Sequence, residues 1–194
     1  MLRELILKNR SYRRFYQDRS VDADTIKSLI DLARLSPSAR NVQALKYIIS
    51  CDPVLNEKLF YMVSWAGYLE GWGGPPQGER PAAYIVQMLD TSIAKDCLCD
   101  DGIAAQSILL GAVERGLGGC ILGSVKKQET HTLLNLPEKY RIIQLIALGV
   151  PKEQIELEPL PASGNYRYWR DEKQIHHVPK RSLDEIIAAI YLPA

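Results

Sequence analysis

The sequence of 194 residues lacks the features that mark several large classes of protein. Its four cysteines are few for this length, and we expect them to be reduced thiols in a cytoplasm. The 24 basic and 23 acidic residues almost cancel, which argues against a nucleic-acid module, although a local basic cluster can still hold one phosphate. The N-terminus has no continuous apolar signal segment, and the apolar run 186–192 is too short to span a bilayer. We therefore expect neither secretion nor membrane insertion.

The common catalytic motifs are missing as well. The sequence has no nucleophile elbow, no Walker loop, no zinc-protease helix motif and no glycine-rich dinucleotide loop. Cys97 and Cys99 are spaced too closely for the usual zinc knuckle, and no second pair follows them. We accordingly predict no metal site.

Hydrophobic periodicity predicts an α/β or α+β domain over residues 1–194, with a small sheet between helices. Strands are expected at 45–51, 82–89, 119–122 and 141–149. Helices are expected at 2–8, 22–35, 54–66, 101–115 and 126–134. A last helix begins with a capping box at Ser182 and is expected to bury four apolar side chains, Leu183, Ile186, Ile187 and Ile190. The polar, proline-bearing stretch 151–179 is expected to be mostly irregular.

Residues 67–81 contain five glycines and three prolines, a composition that is incompatible with a regular helix or strand. Long loops in compact domains tend to be functional. We therefore predict a lid or excursion over 64–81.

Four clusters of polar residues or glycines lie beside the predicted helices, at 9–15, 37–43, 116–119 and 180–181. In the first cluster, Arg10 and Arg13 flank Ser11 and can offer a fork of donors to a phosphate or a polar ring edge. In the third, bare glycine backbone permits a flat ligand to come close. Taken alone, each cluster is also compatible with ordinary structure: a solvated basic turn, a hydrogen-bonded turn, a helix C-cap followed by a tight turn, and two solvated charges.

In this order the four clusters resemble the nitroreductase family of FMN-dependent oxidoreductases, over nearly the whole chain. The family's R-x-S-x-R stretch ending in Phe is matched at 10–15, and its P-S-x-x-N-x-Q stretch at 37–43. Its apolar helix ending in G-L-G is matched at 103–119, and its basic pair before a final helix at 180–181. The chain departs from the family at Asn9, Arg40 and Ala44–Leu45, where a further Arg, a small residue and Pro-Trp are common.

The resemblance implies a nitroreductase-like fold, in which helices flank a central, mostly antiparallel sheet of four to five strands. It also implies a homodimer with FMN at the interface. The phosphate or ribityl end would be held by Arg10, Ser11, Lys180 and Arg181. Arg13 would reach the pyrimidine edge of the flavin and tune its reduction. The partner chain would contribute Pro37, Ser38, Asn41 and Gln43. The backbone of Leu117, Gly118 and Gly119 would lie beside the reactive ring nitrogen, where a side chain would block the ring face.

The reaction implied by the resemblance uses NADH or NADPH as electron donor, and a nitroaromatic, a quinone or a similar small electrophile as acceptor in a second, ping-pong half-reaction. No catalytic side chain is required, because FMN carries the hydride chemistry. Three lid aromatics are candidates to stack on the acceptor: Trp65, Tyr68 and Trp72. Trp65 and Tyr68 are alternatively expected in the core or at the dimer interface. Residues 166–170 form a second candidate wall, or equally a strand or arm that wraps the partner subunit.

Two alternatives remain open from the residues. One is a different flavin reaction, such as reductive dehalogenation or the oxidation of a peptide or of flavin itself. The other is a non-enzymatic flavin-binding protein, motivated by the departures at Asn9 and Arg40.

Overall fold

The computed structural model describes residues 1–193, and the chain divides into two units. The first comprises Met1–Trp65 and Trp72–Lys152, and the second comprises Ala66–Gly71 and the chain from Glu153 onward. No helix within residues 1–193 has both the length and the apolar character needed to cross a bilayer.

A four-stranded antiparallel sheet forms the centre of the first unit, in the order β1–β2–β4–β3. Its strands are β1 (Leu45–Ser50), β2 (Ala83–Asp90), β3 (Gly118–Leu122) and β4 (Tyr140–Gly149). All eight residues of β2 are buried, since this central strand is covered on both faces. The predicted strand positions are confirmed to within one residue at each end.

Four helices cover the two faces of this sheet: α2 (Ala23–Leu35), α3 (Pro53–Phe60), α4 (Asp100–Glu114) and α5 (Lys127–Leu133). The first helix, α1 (Leu2–Lys8), has no buried residue and contacts α4. Ile85 of β2 packs in one apolar cluster with α2 and α4, whereas Tyr84 and Val86 pack in a second cluster with α3. This alternation follows from the two-residue period of a strand. The predicted cap of α2 is confirmed, because Asp22 accepts a hydrogen bond from the Thr25 backbone N–H at 2.7 Å.

The helix predicted over 54–66 is wrong beyond Phe60, where α3 ends. Val63 pairs with Val125 in an antiparallel bridge, and the Ser64 N–H donates to the Ser124 carbonyl at 3.0 Å. The apolar side chains that suggested another helical turn therefore belong to extended backbone, whose hydrogen bonds go to a distant segment.

The second unit contains a three-stranded sheet, in the order β5–β7–β6. Its strands are β5 (Ile155–Pro159), β6 (Trp169–Arg170) and β7 (His176–Lys180). The expectation that 151–179 is mostly irregular holds for the residues between these strands but misses the three strands themselves. Prolines at 159 and 179 obscured the strands, and the parallel pairing of β5 with β7 joins segments about twenty residues apart.

The last helix is also shorter than expected, because α6 (Leu183–Ile186) comprises a single turn. Its cap is present, since the Ser182 hydroxyl accepts from the Glu185 N–H at 3.2 Å. Its predicted burial is wrong: Leu183 is 67% exposed, Ile186 64% and Ile190 70%. A single turn is marginal without tertiary packing, and the helix ends before its apolar stripe is complete.

Gly111 of α4 lies in the contact between α4 and α2. A Cβ at this position would clash with Leu32 Cδ1 and stand 3.1 Å from Leu29 Cδ2. We expect Gly111→Ala to lower the free energy of unfolding by about 1 to 3 kcal/mol, since overpacking outweighs the gain in helix propensity. Urea unfolding followed by circular dichroism measures the change.

Gly102 of the same helix is the matched control, because a Cβ there meets nothing within 4 Å. Gly102→Ala should raise the unfolding free energy by up to about 1 kcal/mol. Equal effects of the two substitutions would contradict the close helix contact.

Candidate functional site

The first predicted cluster lies along the start of β3. Ser11 forms a parallel bridge with Gly119, and the Tyr12 N–H donates to the Gly119 carbonyl at 3.0 Å. Further along, Phe15 pairs with Pro151. The structure therefore brings together the clusters at 9–15 and 116–119, which are about a hundred residues apart in sequence.

Arg10 is a half-buried cation in this segment. Its Nη2 donates to the Ile6 carbonyl at 2.7 Å, while its Nε is buried without a hydrogen-bond partner among residues 1–193. No carboxylate of the described residues forms an ion pair with Arg10, and burial lowers the pKa of its guanidinium. A cation removed from water without an anion is costly, so this position suits an anionic ligand such as a phosphate.

Arg13 occupies a different environment from the one predicted. It is only 8% exposed, and its Nη1 donates to the Ser11 carbonyl at 3.1 Å. This burial leaves little of the guanidinium open to a ligand, so contact with a ring edge stays a prediction. Nothing in the sequence distinguishes buried Arg13 from its neighbour Arg14.

The glycines at the start of β3 are required for packing. A Cβ at Gly118 would stand 2.5 Å from Tyr12 Cδ2, and one at Gly119 would stand 2.6 Å from the Ala147 carbonyl. These packing requirements stand beside the predicted reason for the glycines, an unobstructed ring face, which stays a prediction. Gly123, directly after β3, has open space where a Cβ would stand, and there a flat ligand can approach the backbone. No motif in the sequence distinguishes Gly123 from the other glycines.

The second predicted cluster borders a cavity of about 230 Å³ at the amino end of α4. Three of the four predicted residues line it, Pro37, Ser38 and Gln43. Arg34, Lys46, Tyr47 and Asp100 also contribute to its wall. Burial raises the pKa of Tyr47, which keeps the phenol a neutral hydrogen-bond donor.

Asn41 and Gln43 are exposed, and their amide side chains are joined by a hydrogen bond of 3.0 Å from Gln43 Nε2 to Asn41 Oδ1. Asn41 Nδ2 and Gln43 Oε1 have no hydrogen-bond partner among the described residues. This pair of side chains therefore offers both a donor and an acceptor to a polar ring edge.

Helix α4 separates the two clusters. Ser11 lies beside Gly119, which follows the carboxyl end of α4, whereas Ser38 bonds to Asp100 at its amino end. A helix of 15 residues is about 22 Å long. The chain alone therefore places the two predicted clusters at opposite ends of this helix.

The fourth cluster belongs to the second unit. Lys180 ends β7 and is exposed, and the exposed Arg181 forms an ion pair with Glu185 one helical turn later. The predicted convergence of these cations with Arg10 stays a prediction.

The three aromatic residues of the predicted lid differ in burial. Trp65 is only 6% exposed and packs 5.5 Å from Phe60, which favours its alternative place in the core, while its contact with an acceptor stays a prediction. Trp72 is partly buried against the same apolar cluster. Tyr68, in the second unit, is 44% exposed and lies 5.0 Å from Tyr168 between ring centroids.

Comparison with known proteins decides the family. The sequence profile of the Nitroreductase family matches residues 6–67 and 94–150. The chain belongs to the nitroreductase family. The resemblance stated from the sequence is thereby confirmed, and three of the four clusters lie within the matched residues. Lys180 and Arg181 lie outside them.

Individual relatives extend this comparison. An FMN reductase (NADPH) of Bacillus subtilis is 26% identical over 178 residues, covering 84% of this chain and 71% of the relative. An iodotyrosine deiodinase of Thermotoga neapolitana is 26% identical over 170 residues, covering 79% of this chain and 90% of that protein.

A crystal structure of a nitroreductase family protein from Streptococcus pneumoniae has a TM-score of 0.73, at 19% identity, over 98% of this chain and all of that one. At this identity the likeness concerns the fold alone. It confirms the predicted α+β nitroreductase-like fold.

A network of charges fixes the nitroreductase motif at 10–15. The guanidinium of Arg14 binds both carboxylate oxygens of Glu79, and Lys152 Nζ lies 2.9 Å from Glu79 Oε1. The backbone joins the network too, because the Phe15 N–H donates to the Glu79 carbonyl at 2.9 Å. The hydrogen bonds from Arg14, with those from Lys152, lower the pKa of Glu79 to about 2.

Because the pKa of Glu79 is lower in the folded chain than its ordinary value of 4.5, this carboxylate stabilises the fold above pH 4.5. Stabilisation is lost as the pH falls towards about 2. We expect Glu79→Gln to lower the unfolding free energy by about 2 kcal/mol at pH 7, with the difference from wild type shrinking below pH 4.5. Urea unfolding over a pH series measures this.

Asp24→Asn is the control, since Asp24 pairs with Lys27 in an exposed ion pair. It should change the unfolding free energy little at any pH. A Glu79→Gln variant as stable as the Asp24→Asn variant would contradict the role of the network.

Proposed function

We propose that this chain is an FMN-dependent oxidoreductase that passes hydride equivalents from NADH or NADPH, through bound FMN, to a small electrophilic acceptor in a ping-pong cycle. The proposal depends on one observation: Arg10, in the family's first motif, is a half-buried cation without a carboxylate partner among the described residues. An anionic cofactor tail supplies the missing charge.

Family membership confirms the predicted enzyme class, a flavin-dependent NAD(P)H oxidoreductase of the nitroreductase type. The predicted cofactors, FMN and NADH or NADPH, are confirmed through proteins similar to this chain, one of which is named FMN reductase (NADPH). The cytoplasmic location stays a prediction, and the proposal leaves the choice between NADH and NADPH to experiment.

The residues fit FMN in chemical character. Arg10 and Ser11 would hold the phosphate, and the Asn41–Gln43 pair would meet the ring edge with its donor and acceptor groups. The open backbone at Gly123 leaves room for a flat ring. Bound FMN supplies the electron transfer, so the protein needs only to bind, orient and polarise it.

We propose a homodimer in which each FMN receives the 37–43 cluster from the second copy. Two features support a composite site. The two clusters lie at opposite ends of α4, and the apolar side chains of 183–192 are left exposed in the single chain. Exposed apolar surface of this kind marks an interaction site.

The acceptor is proposed to be planar. In the second unit, Tyr68 lies 5.0 Å from Tyr168 and 6.2 Å from Tyr166, and Arg167 stands over the Tyr68 ring. Aromatic surfaces of this kind stack on flat electrophiles such as nitroaromatics and quinones. Reductive dehalogenation of an aromatic is the second candidate, supported by the similarity to an iodotyrosine deiodinase.

Arg10→Ala should weaken FMN binding by about 10- to 100-fold, because it removes a charge-assisted hydrogen bond to the phosphate. Quenching of FMN fluorescence on titration measures the dissociation constant. Arg3→Ala removes an exposed arginine from α1 and should leave FMN binding unchanged. Equal binding by wild type and Arg10→Ala would contradict the phosphate contact.

Wild-type protein loaded with FMN should be yellow and should lose its flavin absorbance when mixed anaerobically with NADH or NADPH. A quinone, a nitroaromatic or a halogenated phenol, added in separate reactions, should restore the absorbance and identify the acceptor class. A bound flavin that neither nicotinamide bleaches would instead indicate a non-enzymatic flavin-binding protein.

A further inference from the structure

We propose that Asp100 is a positioning residue for the flavin, acting through the loop 38–43. This inference rests on the proposed function and adds a residue to it. Asp100 is not itself predicted to contact FMN. It holds in place the backbone of Ser38, Asn41 and Gln43, which are predicted to contact FMN.

Asp100 binds the loop with both of its carboxylate oxygens. Oδ2 accepts from the Ser38 hydroxyl at 2.7 Å, and Oδ1 accepts from the Ala39 backbone N–H at 2.8 Å. The side chain is 8% exposed and belongs to the first residue of α4, where the helix dipole favours a negative charge. A carboxylate so placed makes short, strong hydrogen bonds that water does not easily replace.

Ser38 links Asp100 to the other end of the loop. While its hydroxyl donates to Asp100, the same oxygen accepts from the Gln43 backbone N–H at 3.0 Å. The Asn41 N–H in turn donates to the Ser38 carbonyl at 2.9 Å. Both ends of the loop therefore depend on one serine, and that serine depends on Asp100.

The loop needs an anchor because its backbone is strained. Arg40, Asn41 and Gln43 have φ values of 52°, 55° and 55°. This left-handed region is unfavourable for side chains other than glycine, although asparagine tolerates it better than most. Strained backbone persists only where surrounding contacts over-determine it. Without the Asp100 carboxylate, the loop is expected to relax and to carry the Asn41 and Gln43 amides away from their present positions.

Asp101 offers a matched control within the same helical turn. It has the same charge and the same place near the helix dipole, but no hydrogen bond joins its carboxylate to residues 38–43. Substitution of Asp101 therefore reproduces the change in charge and in helix stability without releasing the loop.

The experiment compares FMN dissociation constants of wild type, Asp100→Ala, Asp100→Asn and Asp101→Asn, measured by FMN fluorescence well below each melting temperature. We expect Asp100→Ala to weaken binding by about tenfold or more and to shift the visible absorption bands of bound FMN. The FMN dissociation constant of Asp100→Asn should lie between those of wild type and Asp100→Ala, since the one side-chain oxygen of asparagine can still accept a hydrogen bond from the Ala39 N–H. Asp101→Asn should match wild type in affinity and spectrum.

Ser38→Ala removes the other partner of the hydrogen bond between Ser38 and Asp100. This variant keeps the test valid if Asp100→Ala does not fold. If the two residues act through one hydrogen bond, Ser38→Ala combined with Asp100→Asn should bind FMN about as weakly as the weaker single variant. Fully additive losses would overturn the proposed link.

The outcomes separate this inference from the proposed function. Failure of the wild-type protein to bind FMN would overturn the proposed function itself. A wild type that binds FMN, beside an Asp100→Ala variant of equal affinity and unchanged spectrum, would overturn only the positioning role. An Asp100→Ala variant in which the melting temperature alone falls would also overturn that role, because the residue would then serve the fold and not the flavin.

Discussion

A guanidinium that leaves water needs a negative partner, and the described part of this chain provides none for Arg10. The position of Arg10 is set by its neighbours: Tyr12 bonds to the start of β3, and Arg14 is clamped by Glu79. The fold thus holds a cation at partial burial before any ligand arrives. Charge that is oriented in advance needs little reorganisation when an anionic tail binds, which is how a protein without a catalytic triad can still serve a redox reaction.

Helix α4 connects this cation to the rest of the candidate site. Its apolar stripe packs against the sheet and against α2, with Gly111 permitting the close approach. Its amino end carries Asp100 and the strained loop, and its carboxyl end leads into β3, beside Ser11. One buried helix therefore sets the separation of the two segments that are predicted to bind ligand. In the proposed homodimer, a second copy of the chain would let both segments reach one flavin.

The local hydrophobic pattern was sufficient to predict much of the fold. In the strands of the first unit, apolar residues alternate with polar ones or form continuous runs, over lengths typical of β-strands. It failed where structure depends on distant partners. Prolines concealed β5 and β7, whose pairing spans the second unit, and the apolar stripe after Ser182 suggested a packed helix where one turn forms. At the site, motif order identified the family, yet it could not separate buried Arg13 from Arg14. An aspartate that opens a helix looks like an ordinary dipole partner, so local pattern gives no sign of the role of Asp100.

The bridge between Ser11 and Gly119 has a further consequence for the state of the protein in solution. β3 is an edge strand, and open edges recruit other chains into aggregates. Here the segment that carries the nitroreductase signature also shields the amino end of that edge. Any change that loosens this segment would expose the edge of β3 and, under the proposed function, would weaken cofactor retention at the same time.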